Sequence, residues 1–203
     1  MKLYNSIGPN PKMVRMFLME KGMELPMVQV DLMGGENRQP PYLGKNPAGQ
    51  MPALELDDGT ILAEITAICE YLDEIGPGPS LIGSTPQERA ETRMWSRRID
   101  LGILEPLVNG FRFCEGLRLF ENRIHCIPEA ADGLKATARK KLAWLDGLMA
   151  GKSFVAGERL TMADLLLYPF LEFGAQVGQP LPDGLANISA WYGRMKERPS
   201  AAA

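Results

Sequence analysis

Histidine and cysteine are scarce in this chain. Of its 203 residues one is histidine, His125, and three are cysteines, Cys69, Cys114 and Cys126. An odd number of cysteines with no Cys-x-x-Cys spacing supports neither a disulfide framework nor a zinc site, and one histidine leaves few options for another metal, so none is expected. Long apolar runs are missing too: none approaches the roughly 18 residues of a membrane span. Met1 leads directly into a strand-like segment rather than a signal peptide, from which a cytoplasmic location is expected. Charge of one sign is also lacking. A net charge of −3 and a pI near 5.4 argue against a partner such as nucleic acid or a membrane surface held by charge.

What is present is a chain long enough for a large core or for two modest domains. Residues 2–5 read as a strand, and residues 13–21 as a helix with Val14, Phe17 and Leu18 on one face. Asn10 is a favoured N-cap type and Pro11 suits a first helical position, where a missing N–H costs nothing. Residues 26–31 alternate enough for a second strand, and a strand-helix-strand unit of this length implies a parallel pair with a right-handed crossover. Residues 34–45, rich in Gly, Pro, Asn and Arg, read as a loop with at most a short helix.

The stretch 46–72, NPAGQMPALELDDGTILAEITAICEYL, is the most informative. Asp57, Asp58 and Gly59 separate two short apolar runs, a hairpin signal in which Gly59 supplies the positive φ of the turn. Ile65, Ile68, Cys69, Leu72 and Ile75 then follow helical spacing, with Gly76 and Pro77 as the stop. Pro52 removes an amide at the start of a strand, and base rates for X–Pro bonds favour a trans Met51–Pro52 peptide. Glu64 stands at the helix head, where an acid is favoured by the macrodipole alone.

In this order these features resemble the thiol-binding domain of the cytosolic glutathione transferases: Asn-Pro-x-Gly, a Val-Pro, an Asp-Gly hairpin, then Glu-Ser and a Tyr-Leu helix. The resemblance extends to GPNPKMVRMFLMEKG, RLTMADLLLYPF and ISAWYGRMKERPS, nearly the whole chain. It implies a thioredoxin-like βαβ-ββα domain over residues 1–77, a linker at 78–85 and an all-α domain over 86–203 that contributes an electrophile pocket. Within the second domain, Thr85, Pro86 and Glu88 form a capping box, and Pro106 is expected to kink the helix that follows. Leu134, Ala138, Leu142, Leu145 and Met149 make an amphipathic helix. Thr161 and Asp164 cap a wholly apolar one, so Asp164 is structural. Ile188, Trp191, Tyr192 and Met195 stripe the last.

The resemblance implies a glutathione transferase that conjugates the glutathione thiolate to small electrophiles in detoxification, as a homodimer. Carried over residue by residue, Glu64 takes the γ-glutamyl amine, Ile65 its carboxylate through a backbone N–H, and Met51, before Pro52, the cysteinyl backbone. Asn37 and Gln50 fall at the positions that meet the glycyl carboxylate, with Arg38 and Lys45 as substitutes for the missing charge. Ile65 lacks the family's serine hydroxyl, which weakens the cradle by about 0.5–1.5 kcal/mol. The family's catalytic serine or cysteine falls at Gly8, which has no side chain. Three readings stay open: activation by the head of the first helix with Asn10 as donor, a role for Ser6, or loss of catalysis. The acceptor pocket is expected between the first domain and the kinked helix, with Asn109, Phe111 and Arg112 as candidates. Alternatives are a glutathione-dependent peroxidase or isomerase on the same fold, and a catalytically silent binding or regulatory protein.

Overall fold

Leu3 and Tyr4 alternate along the first strand, β1 (Lys2–Asn5), so each faces a different side of the sheet. The computed structural model, which describes all 203 residues, has that sheet in the order β2-β1-β3-β4. Here β2 is Met27–Gln29, β3 is Ala53–Glu55 and β4 is Ile61–Leu62. β1 pairs parallel with β2 in the register Leu3–Met27, and antiparallel with β3 in the register Tyr4–Ala53. β3 and β4 form the expected hairpin, with Leu54 opposite Leu62. On one side of the sheet, Leu3 and Leu54 are fully buried, as are the inner faces of α1 (Pro9–Glu20) and α3 (Ile65–Ile75), which pack on each other. On the other, Tyr4 and Ala53 join Val30, Tyr42 and Met51 in a separate cluster. The loop after β2 contains a 3-10 turn, Glu36–Arg38, and the one-turn helix α2, Pro40–Leu43.

Residues Met1–Ser84 form this first unit together with Arg198–Ala203. That last segment lies within the stretch 86–203 expected to be all-α. It forms a 3-10 turn, Pro199–Ala202, that packs on α1. The Arg198 guanidinium forks onto Glu20 at 2.8 and 2.7 Å, and the Ser200 hydroxyl donates to the same carboxylate at 2.5 Å. A second anchor is a buried ion pair, Lys21 with Asp73 at 3.1 Å. Asp73 also accepts from Ser80 and from the Leu81 amide, which fixes the chain after α3.

The second unit, Thr85–Glu197, is helical. α4 (Pro86–Ile99) opens with both halves of the capping box between Thr85 and Glu88. A π-helical turn, Asp100–Leu104, then precedes α5 (Glu105–Arg112), with the Glu105 N–H reaching back to the Asp100 carbonyl. Pro106 has no N–H to give, and its ring crowds the carbonyl four residues earlier. The expected irregularity therefore takes the form of a widened turn just before the proline. After α6 (Leu117–Phe120), α7 spans Ala131–Leu148, starting three residues before its apolar stripe. α8 (Met162–Gln176) is buried on all sides over its first ten residues, and α9 (Ala186–Lys196) follows.

Asp164 holds the start of α8. It accepts from the Val155 and Thr161 amides at 2.8 and 2.9 Å, from Trp191 Nε1 at 2.9 Å and from the Thr161 hydroxyl at 3.1 Å. Burial pushes its carboxyl up, and these four donors pull it down. All four donors point at an anion, as a structural role requires.

Candidate functional site

Strand directions bring the candidate residues to one edge of the sheet. β1 runs antiparallel to β3, so the end of β1 lies beside the start of β3, where Met51 and Pro52 enter. β4 also runs antiparallel to β3. Two residues beyond the Leu54–Leu62 pair, the register sets Pro52 level with Glu64. β2 is parallel to β1 and therefore delivers the loop carrying Asn37 to the same edge. The heads of α1 and α3, the Met51–Pro52 step and this loop thus share one rim.

The two helix heads on that rim differ from those of α4 and α8. The latter are closed by complete capping boxes. Neither α1 nor α3 has a side-chain cap. At α3 the N-cap is Glu64 itself, the one non-glycine residue with positive φ, at φ 69° and ψ 118°. Such a conformation costs an L-residue about 1–3 kcal/mol. Its carbonyl accepts the first helical bond, from the Ile68 amide at 2.9 Å. The Ile65, Thr66 and Ala67 amides have no acceptor in the chain, and the exposed Glu64 carboxylate has no partner. A carboxylate beside free helix-terminal amides suits a ligand group that is cationic and anionic at once, such as an α-amino acid.

α1 begins earlier than its sequence suggests. Its N-cap is Gly8 rather than Asn10, and the helix starts at Pro9, with Asn10 second and Pro11 third. Lys12 is the first residue with a helical acceptor, the Gly8 carbonyl at 3.2 Å. Of the first three helical positions two are prolines, so Asn10 supplies the only backbone donor there. The Asn10 side-chain amide is half-buried and makes no hydrogen bond. Gly8 has φ 107° and ψ 170°; a Cβ there would meet nothing within 4 Å, yet the backbone conformation belongs to glycine. The missing side chain at this position and the path of the chain are one feature.

Beside it, the Met51–Pro52 bond is cis, against the base-rate expectation. The Met51 backbone amide and carbonyl have no hydrogen-bond partner in the chain, because pairing with β1 begins at Ala53. The preceding residue is firmly held: the Gln50 carbonyl accepts from the Tyr42 hydroxyl at 2.6 Å and from Asn46 Nδ2 at 2.9 Å. The Gln50 side chain is exposed. Asn37, by contrast, is buried and donates through Nδ2 to the Gly49 carbonyl at 2.6 Å. It ties the 3-10 turn to the Met51 loop. Arg38 reaches the Ala48 carbonyl at 3.4 Å. Lys45 is engaged by Glu55 at 3.0 Å and lies 5.2 Å from the Tyr4 ring centroid.

Ser6 donates its hydroxyl to the Val30 carbonyl at 2.7 Å and is buried, so it pins the ends of β1 and β2 together. Cys69 is fully buried, and burial pushes its thiol well above the usual range. In the helical unit, Arg112 on α5 donates to Asn109 Oδ1 at 3.2 Å, Asn109 donates to Glu105 at 2.7 Å, and the guanidinium lies 5.4 Å from the centre of the Phe120 ring. Phe111 stacks edge-on with Phe120 and Phe173. Cys126 Sγ lies 3.9 Å from the Arg112 carbonyl.

Comparison with known proteins decides the lineage. Residues 7–75 match the model of the glutathione S-transferase N-terminal domain, and residues 121–199 that of the C-terminal domain. The chain belongs to the glutathione S-transferase family. It is 36% identical over 200 residues to glutathione S-transferase 2 of Saccharomyces cerevisiae, covering 95% of this chain and 84% of that protein. Another relative, maleylacetoacetate isomerase of Pseudomonas aeruginosa, is 33% identical over 184 residues, 89% of this chain and 84% of that one. Among solved structures, a glutathione S-transferase domain-containing protein of Marinobacter aquaeolei superposes with a TM-score of 0.93 at 38% identity, over 98% of this chain and 99% of that one.

Two features of this rim were not legible in the sequence. One is the positive φ of Glu64. The other is Arg15, on the second turn of α1, whose guanidinium reaches back to Asn5 and Ser6. An arginine in an amphipathic helix carries no local signal of such a reach.

Proposed function

We propose that the protein binds glutathione along this rim and transfers its thiolate to small electrophiles. The observation that carries this reading is the pair of uncapped helix heads, α3 with an unpaired carboxylate beside it and α1 with Asn10 as its lone donor. Glutathione carries an ammonium and a carboxylate at its γ-glutamyl end and a thiol in its middle residue. Glu64 takes the ammonium, and the Ile65 and Thr66 amides take the carboxylate. The free Met51 backbone pairs with the cysteinyl residue as an extra strand would. Gln50 meets the glycyl carboxylate, and Asn37 serves that end indirectly by holding the loop. Residues 1–77 form the glutathione-binding part, and the helical unit that follows the 78–85 linker supplies the acceptor pocket.

The thiolate is the nucleophile. Lowering a thiol from about 8.5 by two pKa units requires about 2.7 kcal/mol. A favourably placed helix terminus offers up to about 2 kcal/mol, and a hydrogen bond to a charged acceptor about 1.5–3 kcal/mol. The head of α1 and an amide from Asn10, backbone or side chain, therefore suffice without a hydroxyl at position 8. The thiol proton passes to solvent, and the sulfur lone pair then forms a bond to an electrophilic carbon, whose leaving group departs with its bonding pair or whose π pair moves onto the neighbouring atom. Negative charge developing on the acceptor is met by Arg112, which Asn109 orients. The scheme has no role for a metal. A homodimer acting in the cytoplasm in detoxification belongs to the same reading; no helix is long and apolar enough to cross a membrane.

The test is an ultraviolet difference titration of glutathione bound to the protein, alongside conjugation of an aryl halide. A bound thiol pKa well below 8.5, shifted upward in Asn10→Ala, is the expected result. Retention on immobilised glutathione with an unshifted thiol and no conjugation would point instead to a silent binding protein. The similarity to a maleylacetoacetate isomerase favours one second reading. There the thiolate adds to a conjugated double bond, the carbon–carbon bond rotates, and expulsion returns glutathione unchanged.

A further inference from the structure

Several cations in this protein are held by acidic partners: Lys21 by Asp73, Arg198 by Glu20, and Lys135 by Glu115. Arg15, like Arg38, is held instead by amide and backbone oxygens. Its Nη1 donates to Asn5 Oδ1 at 2.7 Å and to the Ser6 carbonyl at 3.2 Å, while Nη2 lies 3.5 Å from the backbone oxygen of Ala203. No aspartate or glutamate side chain lies within ion-pair distance of it. Of the acids on the elements packed against α1, Glu20 is held by Arg198 and Ser200, and Asp73 by Lys21, Ser80 and Leu81. Glu70 on α3 and Lys12 on the first turn of α1 also carry charge, and neither contacts Arg15. Burial draws the guanidinium below its usual value, and it remains charged at neutral pH.

Asn5 and Ser6 end β1, and two residues later Gly8 opens α1. Successive Cα atoms are 3.8 Å apart, so the guanidinium that grips Ser6 lies within about 10 Å of the α1 head. That is about one Debye length, with partly buried protein rather than salt solution between. We infer that Arg15 is a positioning residue for the thiolate: it fixes the turn from β1 to Gly8 from beneath and adds a positive field at the head of α1. The inference rests on the reading that the thiol is activated there. It explains how a helix head with two prolines and no catalytic hydroxyl can hold an anion. One backbone donor is supplemented by a full charge held behind it rather than by a side chain in front.

The test is the ultraviolet titration of bound glutathione in full-length Arg15→Gln, Arg15→Lys and Asn5→Asp variants, with affinity for S-methylglutathione measured in parallel. A unit charge at this distance in a medium of intermediate dielectric is worth about half to one pKa unit, a three- to tenfold change in thiolate fraction. Arg15→Gln is expected to raise the bound thiol pKa by that amount while affinity for the thioether changes less than about twofold. Arg15→Lys should recover most of the shift. Asn5→Asp keeps Arg15 and sets a carboxylate against it, cancelling its field at the cost of the 3.3 Å Asn5–Gln29 hydrogen bond, and should raise the pKa in the same sense. An unchanged thiol pKa in Asn5→Asp, or loss of thioether affinity in Arg15→Gln with no pKa change, overturns the inference and leaves Arg15 a structural residue. A parent protein that binds S-methylglutathione but leaves the thiol of glutathione unshifted overturns helix-head activation itself, and Arg15 with it.

Discussion

Replacing Glu64 in two ways should separate backbone strain from ligand binding. The residue sits at φ 69° as the N-cap of α3, with an exposed carboxylate and no partner in the chain. Glu64→Gln keeps the strain and removes the charge. Glu64→Gly removes the charge as well, and it relieves a conformation costing about 1–3 kcal/mol. Against that relief stands the greater freedom of glycine in the unfolded chain, about 0.4–1 kcal/mol. The helix-dipole contribution of the acid is lost in both variants and cancels between them. Glu64→Gly is therefore expected to be more stable than Glu64→Gln by about 1 kcal/mol, a Tm difference of about 2–4 °C for a chain of this size. Binding should fall in both. A charge-assisted hydrogen bond at an exposed site lies at the low end of its range, about 1.5 kcal/mol, or about tenfold in Kd. Thermal unfolding without ligand and calorimetric titration with glutathione measure the two effects. Glu64→Gln binding within twofold of the parent would refute the assignment of the ammonium to Glu64. A glycine variant no more stable than the glutamine variant would refute the strain.

Three further outcomes follow from the same geometry. Gly8→Ser should lower Tm by several degrees and bring no gain in kcat/KM, because φ 107° excludes a side chain; Gly8→Ala should lose as much, and a serine variant with raised activity at full stability would contradict this. Asp164→Ala leaves the Val155, Thr161 and Trp191 N–H donors without their acceptor, at about 1–3 kcal/mol each. Denaturant unfolding should show a loss of about 3 kcal/mol or more at unchanged m, and a loss below about 1 kcal/mol would count against the network. Glu55 accepts from Tyr4, Lys45 and Lys2, and these partners hold its carboxyl down from the ordinary 4.5 to about 2. A carboxyl depressed on folding stabilises above its unfolded pKa and loses that contribution as pH falls through the folded one. Acid unfolding between about pH 4.5 and 2 should thus be shallower in Glu55→Gln than in the parent, and identical slopes would contradict the network.

Local chemistry made much of this protein legible in advance. The β3–β4 hairpin is written in Asp57, Asp58 and Gly59, and the heads of α4 and α8 in Thr85–Glu88 and Thr161–Asp164. Each is a set of hydrogen bonds or a turn closed within four residues, so the sequence states it directly. The head of α1 lies two residues before the one that Asn10 and Pro11 indicate, for a related reason. Asn10 and Pro11 carry the strongest local capping pattern, but Gly8 can take a backbone path that no other residue takes as readily, and the helix begins at the earlier proline. Widening of the helix before Pro106 follows from the proline itself, and it takes a π-helical form over Asp100–Leu104.

By itself the sequence determined the order of elements, the position of the Met51–Pro52 step, the acid at the head of α3 and the absence of a catalytic side chain at Gly8. Tertiary structure decided what those residues share. Strand register between β1, β3 and β4 sets the α1 head, Met51 and Glu64 on one rim, through β1–β3 pairings some fifty positions apart joined to the local β3–β4 hairpin. Only the folded chain shows that Glu64 is held at positive φ, that Asn37 is tied to Gly49, and that Arg15 reaches the end of β1. Propensity and capping act through neighbours in the chain. Charge compensation, strain and register depend on groups distant in sequence, and they exist only once the sheet has closed.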